Sequence, residues 1–190
     1  MQILTPTKKG GLGTKELNKE LQSVINPKSP KKAEKIYGQV VFREQDKIMQ
    51  IKNNYDVLWE KTEEPFENGT GVFNGDLGVI LKIDEANKAM QIKFDDNKIA
   101  WYDFQMLEEI EHAYVTTIHK SQGSEFEAVI VSVANASNLL LTRNLLYTAV
   151  TRAKKLLVLI GPKNIIHFMV QNTNIKKRNT GLQFKLMYNV

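Results

Sequence analysis

Two polar segments of the sequence carry the side chains that are best suited to chemistry. In the first, a strand-like run at residues 114–118 leads into hydroxyls, amides, a cation and a glycine. Hydroxyls such as Thr117 and backbone N–H groups near Gly123 can donate to phosphate oxygens, and Glu125 suits a ribose hydroxyl or a neighbouring cation. Because open α/β sheets bind ligands at the carboxyl edge of their strands, this segment predicts a ligand site. A polar helix cap between two strands is the alternative interpretation.

The second segment, residues 145–155, has Arg152 at the end of a helical pattern and just before an apolar run. A guanidinium is planar and always charged, so it can stabilise the charge that develops in phosphoryl transfer. The alternative is structural, since a cation at the end of a helix also interacts favourably with the helix dipole.

Apolar strands that alternate with helices must position both segments. The predicted strands are residues 2–4, 114–118, 128–133 and 156–161, the last of a buried type. The predicted helices are residues 15–25 (with Thr14 as N-cap), residues 142–152 and a last helix that Pro162 begins. Their predicted inward residues are Leu17, Leu21, Val24 and Ile25 in the first helix, and Ile165, Ile166 and Met169 in the last. This alternation predicts an α/β fold with a parallel sheet covered by helices.

A β-module interrupts that pattern. Short strands are predicted at residues 77–83, 89–94 and 98–102, which favours a small SH3-like barrel that needs a supporting neighbour. The predicted division is residues 1–72 and 112–172 for the two parts of the α/β domain, 73–111 for the module and 173–190 for a tail. Trp59 is predicted to lie in a solvated loop. Trp101 and Tyr102 favour the module core over a base-stacking platform.

The composition excludes several functional classes. The chain has 190 residues and a formal net charge of +5, which fits a polyanionic partner. The absence of cysteine excludes disulfides and thiolate chemistry, and the three histidines are not spaced as a metal motif, so no metal site is predicted. With neither a signal peptide nor an apolar run of about 18 residues, the sequence predicts a soluble, cytoplasmic protein. Its abrupt, strand-like start indicates a piece of a longer chain.

Taken together, the two polar segments resemble motifs V and VI of superfamily-one helicases, in the form found in the RecD/TraA branch. The resemblance lies in residues 117–126 and 146–154. Residues 4–13, which lead to Leu17 and Asn18, resemble motif IV of that branch, and residues 46–55 and 72–78 resemble the approach to its SH3-like insertion. The matching segments run from residue 2 to residue 161 in the right order. The resemblance therefore implies a RecA-like motor domain with an SH3-like insertion.

The resemblance also implies roles for single residues. Motifs IV and VI supply cations to the γ-phosphate, which implies Lys9 (or its neighbour Lys8) and Arg152. In motif V, Gly123 and Glu125 would face the nucleotide. The residues that would contact single-stranded DNA are Thr117, His119, Asn53, Asn54 and Asn74.

As a whole, the resemblance implies the C-terminal half of an ATP-dependent 5′→3′ DNA helicase. ATP and Mg²⁺ would be held mainly by the N-terminal motor domain of the same polypeptide. The further partners implied are single-stranded DNA and the subunits of a nuclease complex. No association with a membrane is implied. The alternative, from another class, is a stand-alone nucleic-acid-binding adaptor that kept the fold and lost the motor.

The sequence lacks two parts of a complete ATPase site. Residues 10–15 are Gly-Gly-Leu-Gly-Thr-Lys, whereas a phosphate loop needs Gly-Lys followed by Ser or Thr. In addition, the Asp-Glu pair at residues 84–85 leads into a turn of the predicted β-module, so it does not end a strand of the parallel sheet in the way that a magnesium-binding motif would.

We therefore predict that this chain alone has no ATPase activity and binds ATP with about millimolar affinity at best, because the missing groups dominate nucleotide binding. Phosphate release from the purified chain measures the first expectation, and a nucleotide titration measures the second. Turnover above background would contradict the hypothesis of a half-site.

Overall fold

A computed structural model describes residues 1–133, 136–137, 139–173, 181 and 185–187, so most of the predicted tail lies outside the described residues. In chain order, its strands are β1 Gln2–Thr5, β2 Glu34–Tyr37, β3 Val40–Arg43, β4 Lys47–Gln50, β5 Asn54–Lys61, β6 Asn68–Val72, β7 Leu77–Asp84, β8 Ala89–Phe94, β9 Lys98–Asp103, β10 Ile110–His112, β11 Val115–Thr117, β12 Phe126–Ser132 and β13 Ala153–Ile160. The helices are α1 Thr14–Ile25, α2 Arg143–Val150 and α3 Lys163–Gln171, and a 3₁₀ helix covers Phe104–Glu109.

Four strands form a parallel sheet in the order β11-β1-β12-β13. Ile3 of β1 pairs with Val115 on one side and with Ile130 on the other, and Val129 pairs with Leu157 of β13. The core beneath this sheet combines side chains from its strands with others from α2 and α3, among them Leu4, Val131, Leu145, Ala149 and Met169. The predicted α/β class is confirmed.

Seven further strands form an antiparallel sheet in the order β10-β4-β7-β8-β9-β5-β6. Its own core includes Phe42, Ile48, Ile80, Met90, Ile92 and Tyr102. This sheet starts earlier in the chain than the predicted module boundary at residue 73, because β4 pairs with β7 and β5 pairs with β9. The alternation of residues 47–52 does predict β4. By contrast, β5 and β6 were hidden by an acidic, irregular sequence that gives little period-two alternation.

The two tryptophans of the module have different environments. Trp59 lies in β5 and packs against the module core, so the predicted solvated loop is wrong. Its indole lies over Gly69, where a Cβ would come within 2.6 Å of the ring. Tyr102 is buried, and its hydroxyl donates to Gln50 Oε1 at 3.1 Å. Because successive residues of a strand face opposite sides, the neighbouring Trp101 is exposed.

Helix α1 buries a polar face, contrary to the prediction. Val24 and Ile25 are exposed, whereas Asn18 and Gln22 are buried. Asn18 Nδ2 donates to Val115 O at 2.9 Å, and Val115 N donates to Asn18 Oδ1 at 2.8 Å. β11 is the end strand of the parallel sheet, and its unpaired backbone groups need partners that a side-chain amide can supply and an apolar side chain cannot.

Strand β13 is not the buried strand that its apolar sequence predicts. Leu156, Leu157, Val158 and Ile160 are exposed, and Leu159 packs against the core. The reason is its place at the other end of the sheet, where β12 is its pairing partner among the described residues.

A buried carboxylate joins the two sheets. Asp46, in the turn between β3 and β4, is completely buried. Its Oδ2 accepts hydrogen bonds from Gln22 Nε2 at 2.6 Å, Arg43 N at 2.7 Å and His112 Nε2 at 3.0 Å, and its Oδ1 accepts from Asn26 Nδ2 at 2.7 Å and the Tyr114 hydroxyl at 2.9 Å. These donors lie in or next to α1, β3, β10 and β11. One side chain therefore fixes the helix and the parallel sheet against the module, and we call this group the Asp46 cluster.

Burial and hydrogen bonding act in opposite directions on this carboxyl group. Burial alone would raise the pKa of Asp46, but the hydrogen bond and charge of His112, with the bonds from Asn26 and Tyr114, outweigh it and hold the pKa below its ordinary value of 3.8. The adjacent Lys47 also connects the two sheets, since its Nζ, from β4 of the antiparallel sheet, donates to Gln2 Oε1 of β1 in the parallel sheet at 2.9 Å.

We predict that Asp46→Asn lowers the free energy of unfolding by about 3 kcal/mol at neutral pH, because an amide cannot accept from all of these donors and leaves buried groups unpaired. A carboxyl group whose pKa is depressed in the folded state contributes stability above its unfolded pKa, and this contribution is lost as pH falls through the folded pKa. The difference in free energy of unfolding between the unmodified protein and the variant should therefore narrow as the pH falls below the ordinary pKa of 3.8. Urea unfolding followed by circular dichroism at several pH values measures it.

The matched control is Asp56→Asn, which removes an exposed carboxylate from β5. We expect this control to change stability by less than about 0.5 kcal/mol. An equal loss in both variants, or a gap that stays constant down to pH values well below 3.8, would contradict the role given to the Asp46 cluster.

Candidate functional site

The loop between β1 and α1 presents Lys8 and Lys9 at the carboxyl end of β1, where both are exposed. Gly13 N donates to Gly10 O at 2.8 Å and closes a tight turn. Gly13, not the predicted Thr14, is the N-cap of α1, and a Cβ on it would lie 2.6 Å from the carbonyl carbon of Lys9. The glycines of this loop therefore serve the turn, and they leave the two ammonium groups at the surface.

The segment at residues 118–125 crosses the parallel sheet. Thr117, at the end of β11, pairs with Thr5 at the carboxyl end of β1. Phe126, at the start of β12, pairs with Ala153 at the amino end of β13. Because these strands are parallel, the chain must return from the carboxyl edge to the amino edge between them.

The predicted residues of this crossover differ in exposure. Thr117 is buried, and its Oγ1 accepts a backbone N–H at 3.3 Å, whereas His119 is exposed. Gly123 has φ of +88°, a conformation that favours glycine, and it is exposed near the amino edge. Glu125 is exposed too, and its carboxylate lies 3.5 Å from Lys154 Nζ.

Arg152 directly precedes β13 at the amino edge. Its Nε donates to Thr148 O at 3.1 Å, its Nη1 to Ser124 O at 2.9 Å and its Nη2 to Thr151 Oγ1 at 3.2 Å. A guanidinium has five N–H donors, so these described contacts engage three of them. The bond to Ser124 holds the guanidinium against the crossover, beside Gly123.

The three asparagines lie where the antiparallel sheet has its β4–β5 and β6–β7 turns. Asn74 N donates to Asn53 Oδ1 at 2.9 Å, and both residues are exposed. Asn54 has a structural role, since its Nδ2 donates to Glu109 Oε2 at 2.9 Å and its Oδ1 accepts from Asp56 N at 3.0 Å.

Sequence reasoning missed an aromatic pair at these turns. The rings of Tyr55 and Phe73 meet edge to face, with their centroids 5.6 Å apart and their planes at 71°. Each ring neighbours a predicted asparagine in the sequence, Asn54 or Asn74, and this adjacency is the signal that could have indicated them.

The structure thus sorts the predicted residues into three groups. The amino-edge group is Gly123, Glu125 and Arg152; the carboxyl-edge group is Lys8, Lys9, Thr117 and His119; the module group is Asn53, Asn54 and Asn74. The first two groups are separated by the length of β12, which is about 20 Å at ~3.3 Å per residue. The structure therefore does not bring Lys9 and Arg152 together.

The described part of the chain contains neither a metal cluster nor a membrane-spanning helix. Its histidines and carboxylates form no cluster of three that could hold a metal ion. None of its helices has the length and apolar character needed to cross a membrane.

Two family models match neighbouring parts of this chain. The SH3 domain of ATP-dependent RecD-like DNA helicases matches residues 17–94, and the UvrD-like helicase C-terminal domain matches residues 112–160. The chain is RecD-like. The second match contains β11, β12, α2 and β13, so it includes the crossover and Arg152. The resemblance to the RecD branch of superfamily-one helicases is confirmed.

Relatives of this RecD-like chain are much longer than the chain itself. It is 34% identical to the uncharacterized protein MJ1519 of Methanocaldococcus jannaschii, over 99% of the chain and 17% of that protein. It is 34% identical to the ATP-dependent RecD2 DNA helicase of Deinococcus radiodurans, over 81% of the chain and 19% of that protein. It is 30% identical to the RecBCD enzyme subunit RecD of Haemophilus influenzae, over 96% of the chain and 24% of that protein. The chain thus spans about a fifth of the length of these relatives.

Pif1 helicases are among the solved structures with the same fold. A structure of two coordinating Pif1 helicases at forked double-stranded DNA matches 99% of the chain and 44% of its own chain, with a TM-score of 0.54 and 14% identity. Bacteroides Pif1 bound to single-stranded DNA matches 99% of the chain and 45% of its own, with a TM-score of 0.52 and 12% identity. Such low identity supports the fold alone. The predicted RecA-like sheet with an SH3-like module is confirmed.

Proposed function

We propose that this chain is the second motor domain of an ATP-dependent DNA helicase, and that it supplies an arginine finger and part of a single-strand track. The observation that carries this proposal is the hydrogen bond from Arg152 Nη1 to Ser124 O, which couples motif VI to the crossover that contains Gly123 and Glu125. A planar, permanent cation held beside backbone donors suits the charge that develops on a transferred phosphoryl group.

The amino-edge group fits one side of a nucleoside triphosphate. Arg152 has N–H groups beyond those already bonded, Gly123 exposes backbone near the guanidinium, and the exposed Glu125 carboxylate can accept from a ribose hydroxyl. We infer that the N-terminal motor domain of the same polypeptide holds ATP and Mg²⁺ and that this chain closes the cleft. ATP hydrolysis there supplies the free energy for movement along DNA.

We assign Lys8 and Lys9 to DNA rather than to the γ-phosphate. They lie at the carboxyl edge with His119, at the opposite end of β12 from Arg152. An ammonium group on an exposed loop binds phosphate as a point charge and does not need a partner guanidinium.

The rest of the proposed track contains no lysine or arginine. The exposed His119, Asn53 and Asn74 would hydrogen-bond to sugar and phosphate. The buried Thr117 would support the crossover beneath the strand, and Asn54 would position the turn that carries Asn53. From the resemblance to the RecD branch, we further propose 5′→3′ movement, association with nuclease-complex subunits and a cytoplasmic location.

Substitutions of Arg152 test the arginine finger in the polypeptide that joins this chain to its N-terminal motor domain. Arg152→Ala should lower DNA-stimulated turnover about 10³-fold while leaving ATP affinity nearly intact. Arg152→Lys should restore little activity, because a point charge cannot reproduce the planar fork. Steady-state phosphate release measures turnover, and a fluorescent nucleotide measures affinity. Near-normal turnover in either variant would leave Arg152 only the structural role of bonding to Ser124 and Thr148.

Titrations with single-stranded DNA test the proposed track in the chain itself. We expect affinity for labelled oligo-dT in the range of about tens of micromolar or weaker, with a salt slope that corresponds to about two to four phosphates at ~0.7 per phosphate. Asn74→Ala with His119→Ala should weaken binding and leave the slope nearly unchanged, because neither substitution removes a lysine or an arginine. Lys8→Ala with Lys9→Ala should lower the slope by about one or more. Fluorescence anisotropy at several salt concentrations measures both quantities.

A matched control replaces two other exposed lysines, Lys19 and Lys31, with Ala. Lys32 is unsuitable because its Nζ donates to Asn26 Oδ1 beside the Asp46 cluster. If the control with Lys19→Ala and Lys31→Ala abolishes binding while the Asn74/His119 and Lys8/Lys9 variants do not, the track is misplaced. That result would favour the alternative of a stand-alone nucleic-acid-binding adaptor.

A further inference from the structure

An exposed aromatic surface lies beside the bond between Asn53 and Asn74. Tyr55 is 65% exposed and Phe73 is 40% exposed, although their rings contact each other. The adjacent asparagines are exposed as well. Aromatic rings and amides that stand together at a surface form a place where a flat, polar-edged ligand can bind.

Hydrogen bonds fix the chain on either side of the two rings. On the side of Phe73, its N–H donates to Asp76 Oδ2 at 2.9 Å, and Asp76 N donates back to Phe73 O at 3.0 Å. On the side of Tyr55, the Asn54 side chain ties the start of β5 to Glu109. Because the backbone on both sides is fixed and the rings contact each other, less conformational entropy is lost when a ligand stacks on them.

The charges around the pair favour a base over a phosphate. Asp56 follows Tyr55 directly, and Asp76 accepts from Phe73 N. The nearby cation is neutralised, since Lys52 Nζ lies 2.5 Å from Glu108 Oε1. These carboxylates disfavour a phosphate directly on the rings, whereas every nucleic acid base has an uncharged π-face that stacks on an aromatic ring.

We propose that Tyr55, supported edge-on by Phe73, is a stacking platform for one base of single-stranded nucleic acid. The sugar and phosphate of the same nucleotide then lie over the Asn53–Asn74 pair, which offers neutral donors. This inference rests on the proposed function and deepens it, because it names the part of the strand that the module contacts. Contact through a π-face is tolerant of sequence, as a translocating motor requires.

The test compares two oligonucleotides of equal length and charge, one of oligo-dT and one in which stable abasic sites replace every base. Anisotropy titrations at low salt give the affinity of the chain for each. Tyr55→Ala should weaken oligo-dT binding roughly tenfold and leave binding of the abasic strand unchanged, since only the stacking contact is lost. Tyr55→Phe, which keeps the ring, should bind oligo-dT like the unmodified chain.

The matched control is Trp101→Ala, which removes another exposed aromatic ring from the same sheet. It should leave both affinities unchanged. The thermal melting of each variant by circular dichroism should match that of the unmodified chain, because Tyr55 is largely exposed.

The outcomes separate the platform from the proposed function. If the chain binds oligo-dT and Asn74→Ala weakens it but Tyr55→Ala does not, the track stands and the platform is rejected. Equal weakening of both oligonucleotides by Tyr55→Ala, or a loss confined to Trp101→Ala, also rejects the platform. If the unmodified chain binds neither oligonucleotide at any salt concentration, the proposed track itself fails, and the platform with it.

Discussion

The arrangement of this chain depends on one buried carboxylate. Asp46 accepts hydrogen bonds from α1, from the β3 end, from β10 and from the residue before β11, so a single ionised group connects the parallel sheet to the module. A buried charge is tolerated only where its oxygens are fully bonded, which ties each donor to a narrow range of positions. The junction is therefore directional, whereas an apolar contact of similar size would allow the two sheets to slide.

The parallel sheet then determines what the chemical segments can do together. Its strands separate two edges, and the crossover at residues 118–125 runs from one edge to the other. Arg152 is bonded to the amino-edge end of this crossover, and His119 lies toward the carboxyl-edge end. A crossover that contacts nucleotide at one end and DNA at the other would couple the two ligands mechanically, without a separate relay. Backbone hydrogen bonds from Lys120 N to Thr117 O and from Ser124 N to Ser121 O brace this run, and under the proposed function a displacement at Ser124 would be transmitted along it.

The module adds surface chemistry that net charge does not indicate. The chain carries a formal charge of +5, yet the turns with Asn53, Asn74, Tyr55 and Phe73 are uncharged or locally acidic. Binding through amides and rings loses less affinity with salt than binding through lysines, and it does not hold the strand in one register. A basic composition and a neutral contact surface are compatible because the exposed lysines are spread over both sheets.

The sequence by itself determined the α/β class, the order of the helicase motifs, the strands at residues 77–103 and the position of Arg152 between a helix and a strand. Each of these follows from short-range periodicity or from neighbouring residues. Only the tertiary structure decided that α1 buries Asn18 and Gln22 instead of Val24 and Ile25, that β13 is an exposed end strand, and that Trp59 belongs to a sheet. It also decided that Lys9 and Arg152 lie at opposite edges and that Tyr55 meets Phe73. These features depend on strand order and on pairing between segments that are distant in the sequence. A local pattern of side chains does not indicate which strand lies at the end of a sheet or which backbone groups stay unpaired there.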